Sequence, residues 1–158
     1  MFERGLFSEA EPLLNLARDA LPESTENLTV ATLSFNLAGI RNECNRIAEA
    51  RELCECTMKI REKMLAHDDP LLGNTYYSMG IVYMEDGQLE KALEYIKRAV
   101  KIHENCPEHD HSPTAFSYGN LGLCYLRMGK LNEASICMEK SEVLWRNSCG
   151  VDSDRYAT

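Results

Sequence analysis

The sequence lacks any apolar run approaching the roughly 20 residues that span a bilayer. Its opening, MFERG, lacks the basic, apolar and small-residue progression of a secretory signal. A cytoplasmic protein away from the membrane is therefore expected. Basic side chains are in deficit, with 17 lysines and arginines against 25 aspartates and glutamates, for a formal net charge of -8. No basic stripe with interleaved aromatics offsets that balance, so neither nucleic acid nor anionic lipid is an expected partner. Only five prolines and nine glycines are present, mostly at the ends of periodic stretches, where they punctuate helices rather than break them. What is abundant is ordinary: 44% apolar and 27% charged residues exclude disorder across the whole chain.

The signatures of chemistry are missing as well. There is no Walker loop, nucleophile elbow, zinc-protease motif or Rossmann glycine pattern. Seven cysteines, an odd number, are dispersed along the chain, several at apolar helical positions, and read as free thiols in a reducing compartment. In such a compartment the sequon Asn27-Leu28-Thr29 carries no glycan. Cys54 and Cys56 sit two residues apart on one helix, which turns their thiols about 200 degrees away from each other. The run from His103 through Cys106 to His111 has metal-ligand composition, but it spans a helix end and a short loop, where solvated side chains explain it with fewer assumptions than zinc. Glu90 with Glu94, and Asp68 with Asp69, read as a solvated helix face and as capping residues. No catalytic residue, metal or cofactor is expected.

What the chain does contain is self-similarity. Residues 70 to 104, PLLGNTYYSMGIVYMEDGQLEKALEYIKRAVKIHE, read as two helices folded back on each other. Gly80, Tyr83, Gly87 and Ala92 return 42 residues later as Gly122, Tyr125, Gly129 and Ala134. The same interval taken toward the N-terminus lands on Ala38, Arg41, Asn45 and Ala50, so the earlier copy keeps its small residues and loses the aromatic. The aliphatic stem of Arg41 is expected to cover the same ground while its guanidinium reaches water. Recurrence of glycine inside a helix, despite its poor propensity, points to a close helix approach where a side chain would collide. Asp69 with Pro70, and Ser112 with Pro113, mark unit starts. Pro113 lies one residue nearer to Gly122 than Pro70 lies to Gly80, a slip expected in the loop.

The expected organisation is one all-α domain of about seven helices. It comprises a half unit over 5–22, units over 28–69, 70–112 and 113–146, and a short, polar, frayed tail over 147–158. Self-similarity at such a period is the mark of a solenoid, in which each hairpin buries its apolar face by stacking on the next. Trp145 lies where an unfinished stack would leave an open apolar face. The half unit and that face suggest association through the array ends.

The spacing of Tyr76, Met79, Gly80, Tyr83, Gly87, Ala92, Ile96 and Ala99 resembles the tetratricopeptide repeat, as does that of Tyr118, Leu121, Gly122, Tyr125, Gly129, Ala134, Met138 and Ser141. Ordinary repeats of that family have a period of about 34 residues. The longer interval, with the segment KIREKMLAHDDPLLGNTYYSMGIVY, is similar to the repeats of kinesin light chains and of fungal and bacterial signalling proteins that carry a nucleotide-binding switch domain. The resemblance covers residues 5 to 146 and implies a right-handed α-α superhelix that binds a peptide or partner domain in its concave groove without catalysis. It places on that wall Phe35 and Asn36 of the first unit, Asn74, Tyr77 and Ser78 of the second, and Phe116, Asn120 and Arg127 of the third. Asn36, Ser78 and Asn120 form a polar ladder suited to a peptide backbone, the aromatics add apolar area, and Arg127 suits a carboxylate. Asn36 and Asn120 are equally suited to satisfying nearby helix groups. The alternative function is a structural or self-assembling segment of a longer array.

Overall fold

A computed structural model of the chain describes residues 27–106 and 111–153, with side chains to 148, together with Pro12 and Asn15. The half unit expected over 5–22 lies outside the described residues apart from those two positions, both helical. Six helices form three hairpins: α1 (Leu28–Glu43) with α2 (Ile47–Met64), α3 (Pro70–Glu85) with α4 (Leu89–Glu104), and α5 (Ser112–Arg127) with α6 (Leu131–Ser153). Among the described residues there is no strand. Each hairpin packs on the next, α2 against α3 and α4 against α5, while α1, α3 and α5 touch along the inner side. The result is a superhelical array of paired helices.

The 42-residue interval is kept at every helix start. First helices start at 28, 70 and 112, and second helices at 47, 89 and 131. The expected slip at Pro113 is thereby removed: α5 begins at Ser112 and its proline occupies the second helical position instead of the first. A proline lacks only a donor that the first turn leaves unused in any case, so both placements are tolerated.

Local chemistry sets the starts and the turns. Asn27 Oδ1 accepts from Val30 N–H at 2.9 Å and Asp69 Oδ1 from Leu71 N–H at 2.8 Å, capping α1 and α3. Asn27, the first residue of the sequon, is thus used as a helix cap. Between helices the chain reverses through Asn45, Gly87 and Gly129, with φ of 60, 77 and 75 degrees. After each, a backbone N–H reaches back five residues, from Arg46 to Arg41, Gln88 to Tyr83 and Lys130 to Tyr125, at 2.8, 2.9 and 2.9 Å. This is the left-handed helix stop that glycine favours and asparagine tolerates.

The core runs as a ribbon between helix layers. Met79 and Ile96 are fully buried, with Ala38, Ala50, Cys54, Leu121 and Cys124 beside them. A Cβ on Gly80 would run into Ile96 and stand 3.3 Å from Ala92 O; one on Gly122 would stand 2.9 Å from Met138 Cγ and 3.2 Å from Ala134 O. Both glycines mark the close approach that their recurrence implied. Two hydroxyls also tie second helices to first ones at equivalent positions, Thr57 Oγ1 to Ala31 O at 3.2 Å and Ser141 Oγ to Ala115 O at 2.8 Å.

Two further expectations are overturned. Arg41 is buried, and its Nε lies 3.3 Å from a Glu49 carboxylate oxygen, so its guanidinium is held by an ion pair rather than by water. Nor does the last helix give way to a frayed tail at 147: α6 continues to Ser153, and neither proline nor glycine interrupts residues 131–149.

Candidate functional site

The side chains expected to line the groove sit on α1, α3 and α5, whose inner faces form one wall. Residues of all three helices border a cavity of about 290 Å³, namely Ala38, Gly39, Asn42 and Glu43 of α1, Tyr77, Ser78, Ile81 and Val82 of α3, and Asn120 of α5, with Cys54 of α2 at its floor. Nothing lies within 4 Å of where a Gly39 Cβ would stand, so the groove is open at that point. A second cavity of about 410 Å³ shares Tyr77 and is bordered by Asn74, His103, Ser112, Pro113 and Phe116. Tyr77 therefore stands between two neighbouring concavities, half-buried, and burial raises its phenol above the ordinary range.

Of the eight residues named from the sequence, Tyr77, Ser78 and Asn120 meet in the first cavity, and Asn74, Tyr77 and Phe116 in the second. Asn36 is exposed on α1 and borders neither. Phe35 is half-buried with the Arg61 guanidinium carbon 4.8 Å from its ring centroid. Arg127 donates to Met84 O at 3.1 Å and meets Glu85 at 3.4 Å, which ties α5 to α3. The Asn120 amide donates to Tyr77 Oη at 2.8 Å and to Phe116 O at 3.1 Å. Both of its N–H groups thus hold the groove wall in place. The exposed Phe116 ring meets Trp145 edge-on, centroids 4.8 Å apart at 88 degrees.

His103, named from the sequence only as one end of the run with metal-ligand composition, is not among the expected groove residues. It is buried, with Nδ1 3.0 Å from Ser117 Oγ and Nε2 3.1 Å from Asn74 Oδ1. Since an amide oxygen only accepts, Nε2 carries the proton and Nδ1 accepts from the serine hydroxyl. Burial lowers its pKa below the ordinary value, with the Pro113 backbone opposing. Its counterpart one unit earlier is Arg61, which donates to Leu71 O and to Thr75 Oγ1, both at 2.9 Å. The readable signal was the shared interval: Arg61 with Thr75 and His103 with Ser117 are each 14 residues apart.

Among the described residues no three His, Cys, Asp or Glu side chains converge in a way that would hold a metal ion. The thiols of Cys44, Cys54, Cys56, Cys106, Cys124 and Cys137 are free, and burial pushes that of Cys54 up to about 12. Among the described residues no helix is long and apolar enough to cross a membrane.

The family model described as Tetratricopeptide repeat matches residues 28–102 and again 73–147. No curated protein matches the sequence. Among solved structures, BtubC (BKLC) from P. vanneervenii is similar with a TM-score of 0.84 at 21% identity, over 92% of this chain and 59% of that one. The nearly identical TPR-like repeats of a putative kinesin light chain from Podosopora anserina give 0.73 at 23% identity, over 91% of this chain and 69% of that one. MamA from Desulfovibrio magneticus gives 0.68 at 18% identity, over 90% and 68%. This chain spans 59% of the length of the P. vanneervenii protein. With the family model covering three hairpins and the same fold found in a kinesin light chain, the chain belongs to the tetratricopeptide repeat family and has the architecture of its kinesin-light-chain-like members.

Proposed function

We propose that this chain is a non-enzymatic binding module that holds an extended peptide segment of a partner protein along the wall made by α1, α3 and α5. The observation that carries the reading is the pair of adjoining cavities sharing Tyr77, the first bordered by side chains from all three hairpins. The Ser78 hydroxyl and the Asn42 amide supply groups that donate to or accept from a peptide backbone, and Tyr77 with Phe116 supplies apolar area. Asn120 acts by positioning Tyr77, and Arg127 acts within the fold. The three units over 28–69, 70–112 and 113–146 serve as one binding surface in a cytoplasmic setting, with nucleic acid no part of the reading. Selecting binders from a displayed decapeptide library tests this. Ser78→Trp, which fills the first cavity, should weaken the selected peptides at least tenfold while leaving thermal stability close to wild type. Equal affinity for both proteins would remove the groove.

A second reading, assembly through the outer face of the third hairpin, is favoured by a separate observation. Met84 is 3% exposed and Ile96 0%, because the next hairpin covers them, whereas their counterparts Leu126 and Met138 are 45% and 41% exposed. Light scattering over a concentration series distinguishes this reading, a constant monomer mass counting against it.

A further inference from the structure

A tyrosine cluster on the side away from the groove is built twice, and the second copy lacks a ring. In the second hairpin Tyr95 stacks on Tyr83 with centroids 5.4 Å apart at 13 degrees, and lies 6.2 Å from Tyr76. Tyr76 donates to Glu62 at 2.8 Å and accepts from Arg98 at 2.8 Å. The Arg98 guanidinium carbon stands 4.0 Å from the Tyr76 centroid and 5.8 Å from that of Tyr95. The third hairpin repeats the shell, since Tyr118 donates to Glu104 and Lys140 Nζ sits 5.0 Å from the Tyr118 centroid. At the position of Tyr95, however, stands Cys137. A cavity of about 490 Å³ opens beside Tyr118 and Lys140, bordered also by Glu104, Ile136, Val143 and Leu144.

The outward face of α6 changes character at the same place. The solvated Glu94 and Lys101 of α4 are replaced, 42 residues on, by Ile136 and Val143, each more than half exposed. Two charged positions, two helical turns apart, have become apolar beside a cavity whose Glu104, Tyr118 and Lys140 are the counterparts of the Glu62, Tyr76 and Arg98 cluster that Tyr95 joins one repeat earlier. Single exposed apolar residues are ordinary, whereas apolar residues gathered at the rim of a cavity are a feature of interaction surfaces.

We propose that this cavity is a second docking site, for a protein partner that inserts a tyrosine or phenylalanine ring flanked by lysine or arginine. The ring would take the place that Tyr95 has in the preceding repeat, packing against Tyr118 with Ile136 and Val143 covered by the flanking chain. The basic neighbour follows from charge: Glu104 and Glu139 border the cavity against the single Lys140, on a chain whose formal charge is -8. The site is separate from the groove and does not depend on it.

The test uses the whole chain with three probes, 4-methylphenol, acetyl-Lys-Tyr-Lys-amide and acetyl-Glu-Tyr-Glu-amide, followed by amide chemical shifts. Saturable shifts at Tyr118, Lys140 and Leu144 are expected with the phenol and the basic peptide, the basic peptide binding at least threefold more tightly than the acidic one at low salt. Cys137→Tyr supplies the missing ring and should abolish the shifts. Val143→Lys restores the charge found in the second repeat and should weaken the basic peptide at least threefold, whether or not the first variant folds. No saturable shift in the wild type, equal affinity for both peptides, or unchanged binding in Val143→Lys would overturn the proposal. Shifts at the same amides on raising protein concentration alone would assign the surface to a second copy of the chain and overturn the proposed partner.

Discussion

Gly39 and Gly80 both interrupt helix interiors, and their surroundings give opposite consequences to the same substitution. A methyl at Gly39 meets no atom within 4 Å, so Gly39→Ala should raise stability by about 0.5–1 kcal/mol through the entropy of the unfolded chain and better helix propensity. A methyl at Gly80 strikes Ile96, itself fully buried, and overpacking of this kind costs about 1–3 kcal/mol. Urea denaturation of both variants checks the pair; a stabilised Gly80→Ala would mean that α3 and α4 separate at little cost. His103 adds a dependence on pH. Burial holds its folded-state pKa below the ordinary 6.5, so over the interval between the two values the unfolded chain binds a proton that the folded chain does not. Stability is therefore full above about 6.5, falls as pH is lowered through that interval, and levels off below it. His103→Gln should show a smaller drop in Tm between pH 7.5 and 5.5 than the wild type, and an equal drop would place the acid sensitivity elsewhere.

At the scale of helices, the junction of α2 with α3 depends on Arg61, 2% exposed, whose planar group donates twice to α3 while lying against Phe35. An ammonium has neither the fork nor the flat face for that arrangement. Arg61→Lys should cost about 1.5–3 kcal/mol, the range for hydrogen bonds made by charged groups, and guanidinium denaturation measures it; a cost near zero would show that the stacked arrangement contributes nothing. The same element shows what was legible in advance. Helix starts and stops could be read because capping and left-handed turn residues act over four or five positions, and Asp69, Pro70, Gly87 and Gly129 carry that information locally. The close contact at Gly80 and Gly122 could be read because it recurs. What could not be read is which polar side chains the fold uses for itself. Asn74, Asn120 and Arg127 reach partners 29, 43 and 43 residues away, and no pattern within a helix indicates whether an amide or guanidinium on the inner wall is already engaged. The ladder of Asn36, Ser78 and Asn120 kept its interval, yet only Ser78 and Asn120 border the cavity.

At the scale of the whole chain, the described hairpins touch chiefly their sequence neighbours, so stability is close to a sum of hairpin and junction contributions. A globular core would spread damage at one point over every element, whereas a stacked array should localise it. The junction of the second and third hairpins is held in part by Cys124, fully buried with its thiol donating to Leu89 O at 3.3 Å. Replacing that thiol with a carboxylate, Cys124→Asp, buries a charge with no basic partner in hydrogen-bonding contact, a change that costs several kcal/mol unless the site opens or the acid takes up a proton. The third hairpin should then detach while the first two remain stacked. Amide exchange should lose protection across α5 and α6, with α1 and α2 within about threefold of their wild-type rates, a margin that corresponds to less than 1 kcal/mol. Uniform loss of protection over all six helices would contradict nearest-neighbour stacking, and with it the premise that a partner can engage one face of the array without reorganising the other.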